Sequence, residues 1–440
     1  MLQAAAPVPV RSRAGLGFTR FSQEFSMHGP LPQDLPSQDT STLSARAVGL
    51  ATLALSVGSF GIGTGEFAIM GLLPDVARDL DVSAPDVGHL ISAYALGVVV
   101  GAPLITVLAA GASRRVLLFA LMAVFALGNL ASALAPGYLS LTLFRFLAGM
   151  PHGAYFGIAA LVAASMVAPN KRGQAIGRIM LGLTVAALIG NPAATWLGQW
   201  LGWRSAFTTV GVIGVATIGM LALYLPRSVG HETSSAAREL GAFARGQVWL
   251  TLATGAIGFG GLFAVFSYVA PTVIEVTGLK ETAVPVALAM IGIGMILGNV
   301  AGGWLADRAL MPGIAAILLW SALVLAAFPF TAHNAWLAMV NLMLIGTTVG
   351  LGPALQIRLM DVAADAQTLA AAMNHSAFNL ANALGAWLGG VVITAGYGWT
   401  STAWVGAILA VGGLVVFALS AWLHTNTLRA GRIGVQMPGR

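Results

Sequence analysis

The sequence predicts an all-α membrane protein with twelve transmembrane helices in two pseudo-symmetric six-helix halves. Three observations lead there. Only 8% of the 440 residues are charged and 58% are hydrophobic, against roughly 25% charged in an ordinary soluble domain. Apolar runs of about 20 residues, long enough to cross the hydrocarbon layer, recur twelve times along the chain. Short patterns also repeat between the two halves, as they do in six-helix units related by an axis along the membrane normal.

Taken in order, residues 1–45 are rich in Pro, Ser, Gln and Ala, carry Arg11, Arg13 and Arg20, and lack the apolar core of a secretory signal. They are expected to form a disordered cytoplasmic tail, and translation starting at Met27 would shorten it. The first half, 46–225, holds apolar spans at 47–73, 88–110, 115–134, 138–163, 173–199 and 204–225. A polar linker, 226–246, carries His231, Glu232, Arg238, Glu239 and Arg245. The second half, 247–423, holds spans at 247–271, 284–306, 312–330, 335–358, 368–394 and 400–422, and 424–440 form a second tail. All but four of the 21 Lys and Arg residues fall on one side; Arg78, Arg204 and Lys280 lie opposite, and Arg145 lies within a span. Positive charge is retained on the cytoplasmic side, so both termini are expected there, in a multi-pass protein of the cell's inner (plasma) membrane. The repeats pair Thr195-Trp196-Leu197-Gly198 with Ala386-Trp387-Leu388-Gly389, Asn191 with Asn382, Gly202-Trp203 with Gly398-Trp399, and Leu108-Ala109-Ala110 with Leu305-Ala306-Asp307.

Composition also excludes several functions. With no cysteine, disulfides, thiolate metal sites and a cysteine nucleophile are ruled out. The net charge of +6 fits basic cytoplasmic loops better than nucleic-acid binding. The glycine clusters Gly61-Gly63-Gly65 and Gly255-Gly258-Gly260 lie inside apolar spans with no preceding strand, so they read as helix packing rather than nucleotide loops. No P-loop lysine, metal cluster or nucleophile–base set is present. No metal, cofactor or enzymatic activity is expected, and ATP-driven transport has no support.

The chemistry therefore rests on polar residues inside the spans. Glu66 is the costliest, because a carboxylate at the bilayer centre costs about 2.5–3.5 kcal/mol on insertion scales. On a helical projection Ser59, Gly63, Glu66 and Met70 share one side, beside a small-residue stripe of Gly58, Gly61 and Gly65. Packing through the glycines would turn Glu66 toward a central water-accessible cavity. Arg145 keeps its charge at physiological pH and must meet a carboxylate, carbonyls or water. It tunes the protonation of an acid, contacts substrate, or clamps helix-end carbonyls. His152 lies two turns along the same face and either relays protons or bonds neighbouring helices. In the eleventh span Ser376, Asn379 and Asn382 recur every third residue, flanked by Asn374 and His375. That stripe either lines the cavity or holds helices together.

Several segments then fall into a pattern: Gly65-Glu66-Phe67, Gly71-Leu72-Leu73-Pro74, Ala77 to Ser83, Ser92 to Gly97, Gly101-Ala102-Pro103, Gly190-Asn191-Pro192, Gly202-Trp203-Arg204, Ala377-Phe378-Asn379 and Ala383-Leu384-Gly385. With them, residues 47–422 resemble a twelve-helix major facilitator superfamily transporter. The likeness is to the drug:proton antiporters in the branch of arabinose-efflux-like permeases and chloramphenicol-resistance exporters. The resemblance implies a major facilitator fold and a proton-coupled transporter that exports small amphipathic compounds or drugs by alternating access. Efflux of sugars or polar metabolites is one alternative, and a non-transporting receptor or scaffold is another. Glu66, Arg145 and His152 are the candidates for proton coupling, and Ser59, Gly63, Met70, Asn191, Asn374, His375, Asn379 and Asn382 the candidates for the substrate cavity. The family's cytoplasmic gate maps onto Arg114, Arg115, Asp307 and Arg308, although Ala110 stands where the first copy has an aspartate. Leu141, Arg145 and Gly149 match the helix-4 motif, with Ala148 in place of its glutamine. Gly182, Ala186, Gly190 and Pro192 match the antiporter motif of helix 5, with Asn191 inserted between its last two residues. The expected partners are a small molecule, protons and the lipid bilayer, with the chain acting as a monomer and without nucleic acid.

Overall fold

The computed structural model describes residues 44–108, 112–168, 171–227, 244–363 and 367–435. The expected N-terminal tail, Ala110, most of the 226–246 linker and the end of the C-terminal tail lie outside the described residues. The chain divides into Met1–Leu43 and Ser44–Arg440, and the second unit holds every element below.

All regular structure among the described residues is helical. Among the described residues, eleven helices are long and apolar enough to cross a membrane: α1 (Ala45–Gly71), α2 (Ala84–Ile105), α3 (Arg114–Ala133), α4 (Tyr138–Ser165), α5 (Arg172–Leu201), α6 (Arg204–Tyr224), α7 (Gly246–Phe266), α8 (Glu281–Thr331), α9 (Ala335–Ala363), α10 (Met373–Thr394) and α11 (Ser401–Asn426). The 51-residue α8 leaves helical geometry at Ala309 (φ −156°, ψ 74°). At about 1.5 Å per residue it is more than twice the ~30 Å apolar thickness, so its two arms serve as two crossings. Counted that way, the helices supply the expected twelve.

Glycine contacts reveal the repeat in atomic terms. In the first half, Gly97 of α2 lies against the Phe146 carbonyl of α4, Gly101 against Met150, and Gly149 against Tyr94. In the second half, Gly294 of α8 lies against the Met343 carbonyl of α9, Gly298 against Thr347, and Gly346 against Ile291. Each glycine and each partner is displaced by the same 197 positions between the halves. A methyl group at any of these glycines would collide with backbone, which is why small residues recur there at helical spacing.

The two halves meet along a seam. Among the described residues, hydrogen bonds crossing it are Arg78 to Glu281, Gln199 to the Glu281 carbonyl, Ser92 to the Ala383 carbonyl, and Asn382 to Glu66. They lie at the protein's centre or toward the end bearing the 72–83, 202–203 and 277–283 connections, here termed the latched end. At the opposite, basic end, the bonds from Arg115 to the Leu225 carbonyl, Arg245 to the Val362 carbonyl and Arg358 to Gln247 each stay within one half.

The latched end brings together two of the segments singled out by sequence. Gly202 takes a left-handed φ of 87°, and the two residues after it reach back to Asp79. Trp203 Nε1 donates to Asp79 Oδ2 at 3.0 Å, and the Arg204 guanidinium pairs with the same oxygen. These bonds hold the Asp79 carboxyl below its usual range. Their stabilisation is present above that range and is lost as pH falls through the lowered value.

The glycine seams give a stability test. Gly298→Val should cost about 1–3 kcal/mol through forced separation of packed helices and lower the thermal melt in detergent. Gly303→Val, five residues on, has nothing within 4 Å of its Cβ position and should leave the melt nearly unchanged. Equal effects would mean that the contacts do not hold α8 against α9.

Candidate functional site

Helix α1 is fixed on two sides before its acid is placed. Its entry is capped by Ser44, whose side chain accepts from Ala47 N at 3.2 Å. Gly58 packs against Tyr155 and Thr217, Gly61 against Ile213 and Phe125, and Gly65 against Val210, Phe125 and Asn129. This seats one face of α1 on α3, α4 and α6. Gly63 packs against Leu183 and Ala186 of α5, and Ser59 packs against Gly182. The remaining direction is toward the seam, and Glu66 takes it.

Glu66 is 4% exposed. Asn382 Nδ2 of α10 donates to its Oε1 at 3.2 Å, a bond between the two halves that suits a carboxylate and a carboxylic acid alike. His152 Nδ1 of α4 lies 3.9 Å from Oε2. The same nitrogen is 3.3 Å from Tyr94 Oη of α2. A small side-chain movement would therefore bring His152 into hydrogen-bond reach of the acid. His375 of α10 continues the cluster, its ring 6.4 Å from that of His152 and stacked on Phe156 at 5.2 Å.

Arg145 is fully buried and does not pair with the Glu66 carboxylate. Its Nη1 donates to the Gly65 carbonyl at 2.8 Å and its Nη2 to the Glu66 carbonyl at 3.3 Å. The guanidinium also lies 4.3 Å from the Tyr94 ring centroid and 5.2 Å from that of Phe207. Of the roles open to it from sequence, the clamp on carbonyls is the geometry found here. It fixes the backbone that carries Glu66.

The polar stripe of α10 faces inward. Ser376, Asn379, Asn382 and Asn374 are all buried. Asn379 Nδ2 donates to the His375 carbonyl at 3.1 Å. The Asn379 Oδ1, Asn382 Oδ1 and Ser376 Oγ atoms have no protein partner, leaving three acceptor positions near the acid. Not all the expected cavity residues join them. Ser59 bonds back to the Leu55 carbonyl at 3.2 Å, Gly63 is taken up by helix packing, and Met70 is fully buried in the apolar core. The space beside Ser59 and Gly63 is filled by α5, so in this state they are contact residues. Asn191 is also buried, on α5.

The antiporter-motif glycines make close contacts of the same kind, Gly182 with the Ser56 carbonyl and Gly190 with Thr64 and Phe60. Between them α5 widens into a π-helical turn over Ala186–Gly190, closed by the Asn191 N–H donating to the Ala186 carbonyl. The wider turn absorbs one extra residue and brings Pro192, which has no N–H to donate, into the first turn of the restarted α-helix. Of the expected gate residues, Arg115 bonds within the first half, Arg308 lies over the Trp304 ring at 4.2 Å, and Asp307 is exposed. Among the described residues these three make no polar contact across the seam. Arg114 opens α3 beside its Ser113 cap.

Three polar residues were not picked out from sequence. Tyr94 lies in a quoted motif without an assigned role. Asn129 presents Oδ1 beside Gly65, and its isolation in an apolar run was the available signal. Arg358, 7% exposed, shares Gln247 Oε1 with Ser420; it reads from sequence as a cytoplasmic helix-end charge.

A sequence model of the Major Facilitator Superfamily matches residues 55–363. The chain is 43% identical over 377 residues to the inner membrane transport protein YdhP of Escherichia coli K12, covering 86% of this chain and 97% of that protein. It is 32% identical over 383 residues to a chloramphenicol resistance protein of Streptomyces lividans, covering 84% and 96%. Among solved structures it resembles a bacterial homologue of the human lysosomal transporter Spinster, in an inward-facing and occupied conformation. The TM-score is 0.66 at 18% identity, over 84% of this chain and 96% of that one.

The carbonyl clamp separates shape from charge at position 145. Arg145→Lys keeps the charge but replaces the planar fork with one compact ammonium on a shorter reach, so it should lose about 1.5–3 kcal/mol for one charge-assisted bond and melt lower in detergent. An unaltered melt would show that the fork is not what the fold uses.

Proposed function

The chain belongs to the major facilitator superfamily, and we propose that within it this transporter is a proton-coupled exporter of small amphipathic compounds, working by alternating access in the inner membrane. The position of Glu66 carries this reading. An acid on the first half, bonded across the seam by Asn382 of the second, changes partners whenever the halves move. Its hold on a proton then depends on which side is open. The chloramphenicol-resistance relative supports the substrate class, as does the apolar Phe156 ring beside His152 and His375.

Residues 46–225 and 247–423 are the two moving halves, joined by the 226–246 linker. Arg115, Lys171, Arg172, Arg178, Arg245 and Arg308 lie at the basic end, which supports reading that end, with both termini, as cytoplasmic. The latched end then faces outward, and the state described is closed to the outside. Substrate arriving from the cytoplasm meets the free acceptors of Ser376, Asn379 and Asn382 and displaces the proton from Glu66. When the latched end opens, a proton returns to Glu66 as substrate leaves. His152, within 4 Å of the acid, passes the proton onward. A second reading, efflux of sugars or other polar metabolites, draws on the same asparagines as partners for hydroxyl groups.

Reconstitution into vesicles with an acidic lumen tests the proposal. Wild type should accumulate chloramphenicol as protons leave, whereas Glu66→Gln should fold and equilibrate the drug without accumulating it. Accumulation of arabinose and not chloramphenicol would favour the second reading. Undiminished uphill transport by Glu66→Gln would remove Glu66 as the coupling acid.

A further inference from the structure

The seam at the latched end is mostly apolar. Phe67 of α1 meets Phe263 and Phe266 of α7 at ring separations of 6.1 and 5.3 Å, and Leu288 of α8 packs at Gly71 of α1. One strip of α5 departs from this. Asn191, Thr195 and Gln199 recur every fourth residue and so share a face. Asn191 and Thr195 are both 0% exposed. Neither the oxygen nor the nitrogen of the Asn191 amide has a protein partner, and Thr195 Oγ1 has none. Only Gln199, nearest the surface, is satisfied, donating to the Glu281 carbonyl at 3.0 Å.

These groups lie at the junction that must part for the latched end to open. A methyl group on Gly71 would meet Thr195 Oγ1 and Leu288 Cδ1 together, so α1, α5 and α8 converge at Thr195. One turn further in from Asn191, Gly292 of α8 lies against the Ala187 carbonyl and Leu188 of α5. Left dry, an amide and a hydroxyl that have no protein partner disfavour the state that buries them, by about tenfold for each group. Hydrocarbon side chains of the same shape would carry no such penalty.

We propose that Asn191 and Thr195 are a hydration site of the opened latched end, whose ligand is water and whose wetting draws the transporter out of the closed state. The Arg78–Glu281 pair and the Gln199 bond hold the end shut, and the two buried polar groups work against them. This inference rests on the two access states of the proposed function and assigns residues that set the balance between them.

The cysteine-free chain allows a direct test. Spin labels on His89→Cys and Tyr397→Cys, one on each half beside the latched end, report its opening as a distance distribution. Measurements are made in wild type and in Glu281→Gln, which weakens the latch and raises the wide-distance population. Adding Asn191→Leu and Thr195→Val, near-isosteric and apolar, should lower the ratio of wide to narrow distances at least tenfold, with a melting temperature equal to or above that of the parent. An unchanged or increased ratio, or a lower melting temperature, overturns the proposal. A single distance that Glu281→Gln does not move would instead overturn the two-state reading, and the inference with it.

Discussion

One carboxylate has to be held inside the bilayer, on the surface where two helical bundles meet. The bilayer offers Glu66 no water, so each neighbouring feature supplies what water would have done. Glycines at 58, 61 and 65 let α1 approach α3, α4 and α6 closely enough to set its rotation. Arg145 then fixes the backbone carbonyls of residues 65 and 66. Asn382 provides a donor from the opposite half, and His152 with Tyr94 completes the polar surround. In the proposed transport cycle, moving the halves changes this set and so links the charge on Glu66 to the rearrangement.

The two halves share a scaffold but not a chemistry. Their glycine contacts superimpose at a constant offset of 197 positions, down to the backbone atoms touched. The ionisable groups are uneven by contrast. The first half contributes Glu66, Arg145 and His152, and the second contributes asparagines and His375. The packing is symmetric, while the charge is not: among the described residues Glu66 is the one acid buried in the seam. The latched end adds a further contrast, with exposed ion pairs near its surface and unsatisfied polar groups beneath them.

Much of this was legible in the sequence. Apolar run lengths and the offset between repeated patterns gave the helix count and the two halves, even though α8 joins two crossings across a kink. Helical spacing placed Glu66 beside the glycine stripe and aligned Ser376, Asn379 and Asn382. Periodicity names a face but not the neighbour it meets, so Ser59 and Gly63 read from sequence as cavity residues although α5 packs against them. Arg145 was ambiguous for a related reason: its partners are backbone carbonyls, which every residue possesses and no sequence pattern marks. The π turn was foreshadowed by the extra Asn191 in the motif, but an insertion alone does not say whether a helix kinks, loops or widens.

The central claim is that the protonation of Glu66 and the parting of the two halves are one linked event. The most direct measurement is the separation of spin labels across the latched end, followed from pH 5 to pH 9 in wild type and Glu66→Gln without substrate. The account predicts that the balance between the two separations shifts with pH in wild type and stays constant in Glu66→Gln. The same pH dependence in both proteins would contradict it.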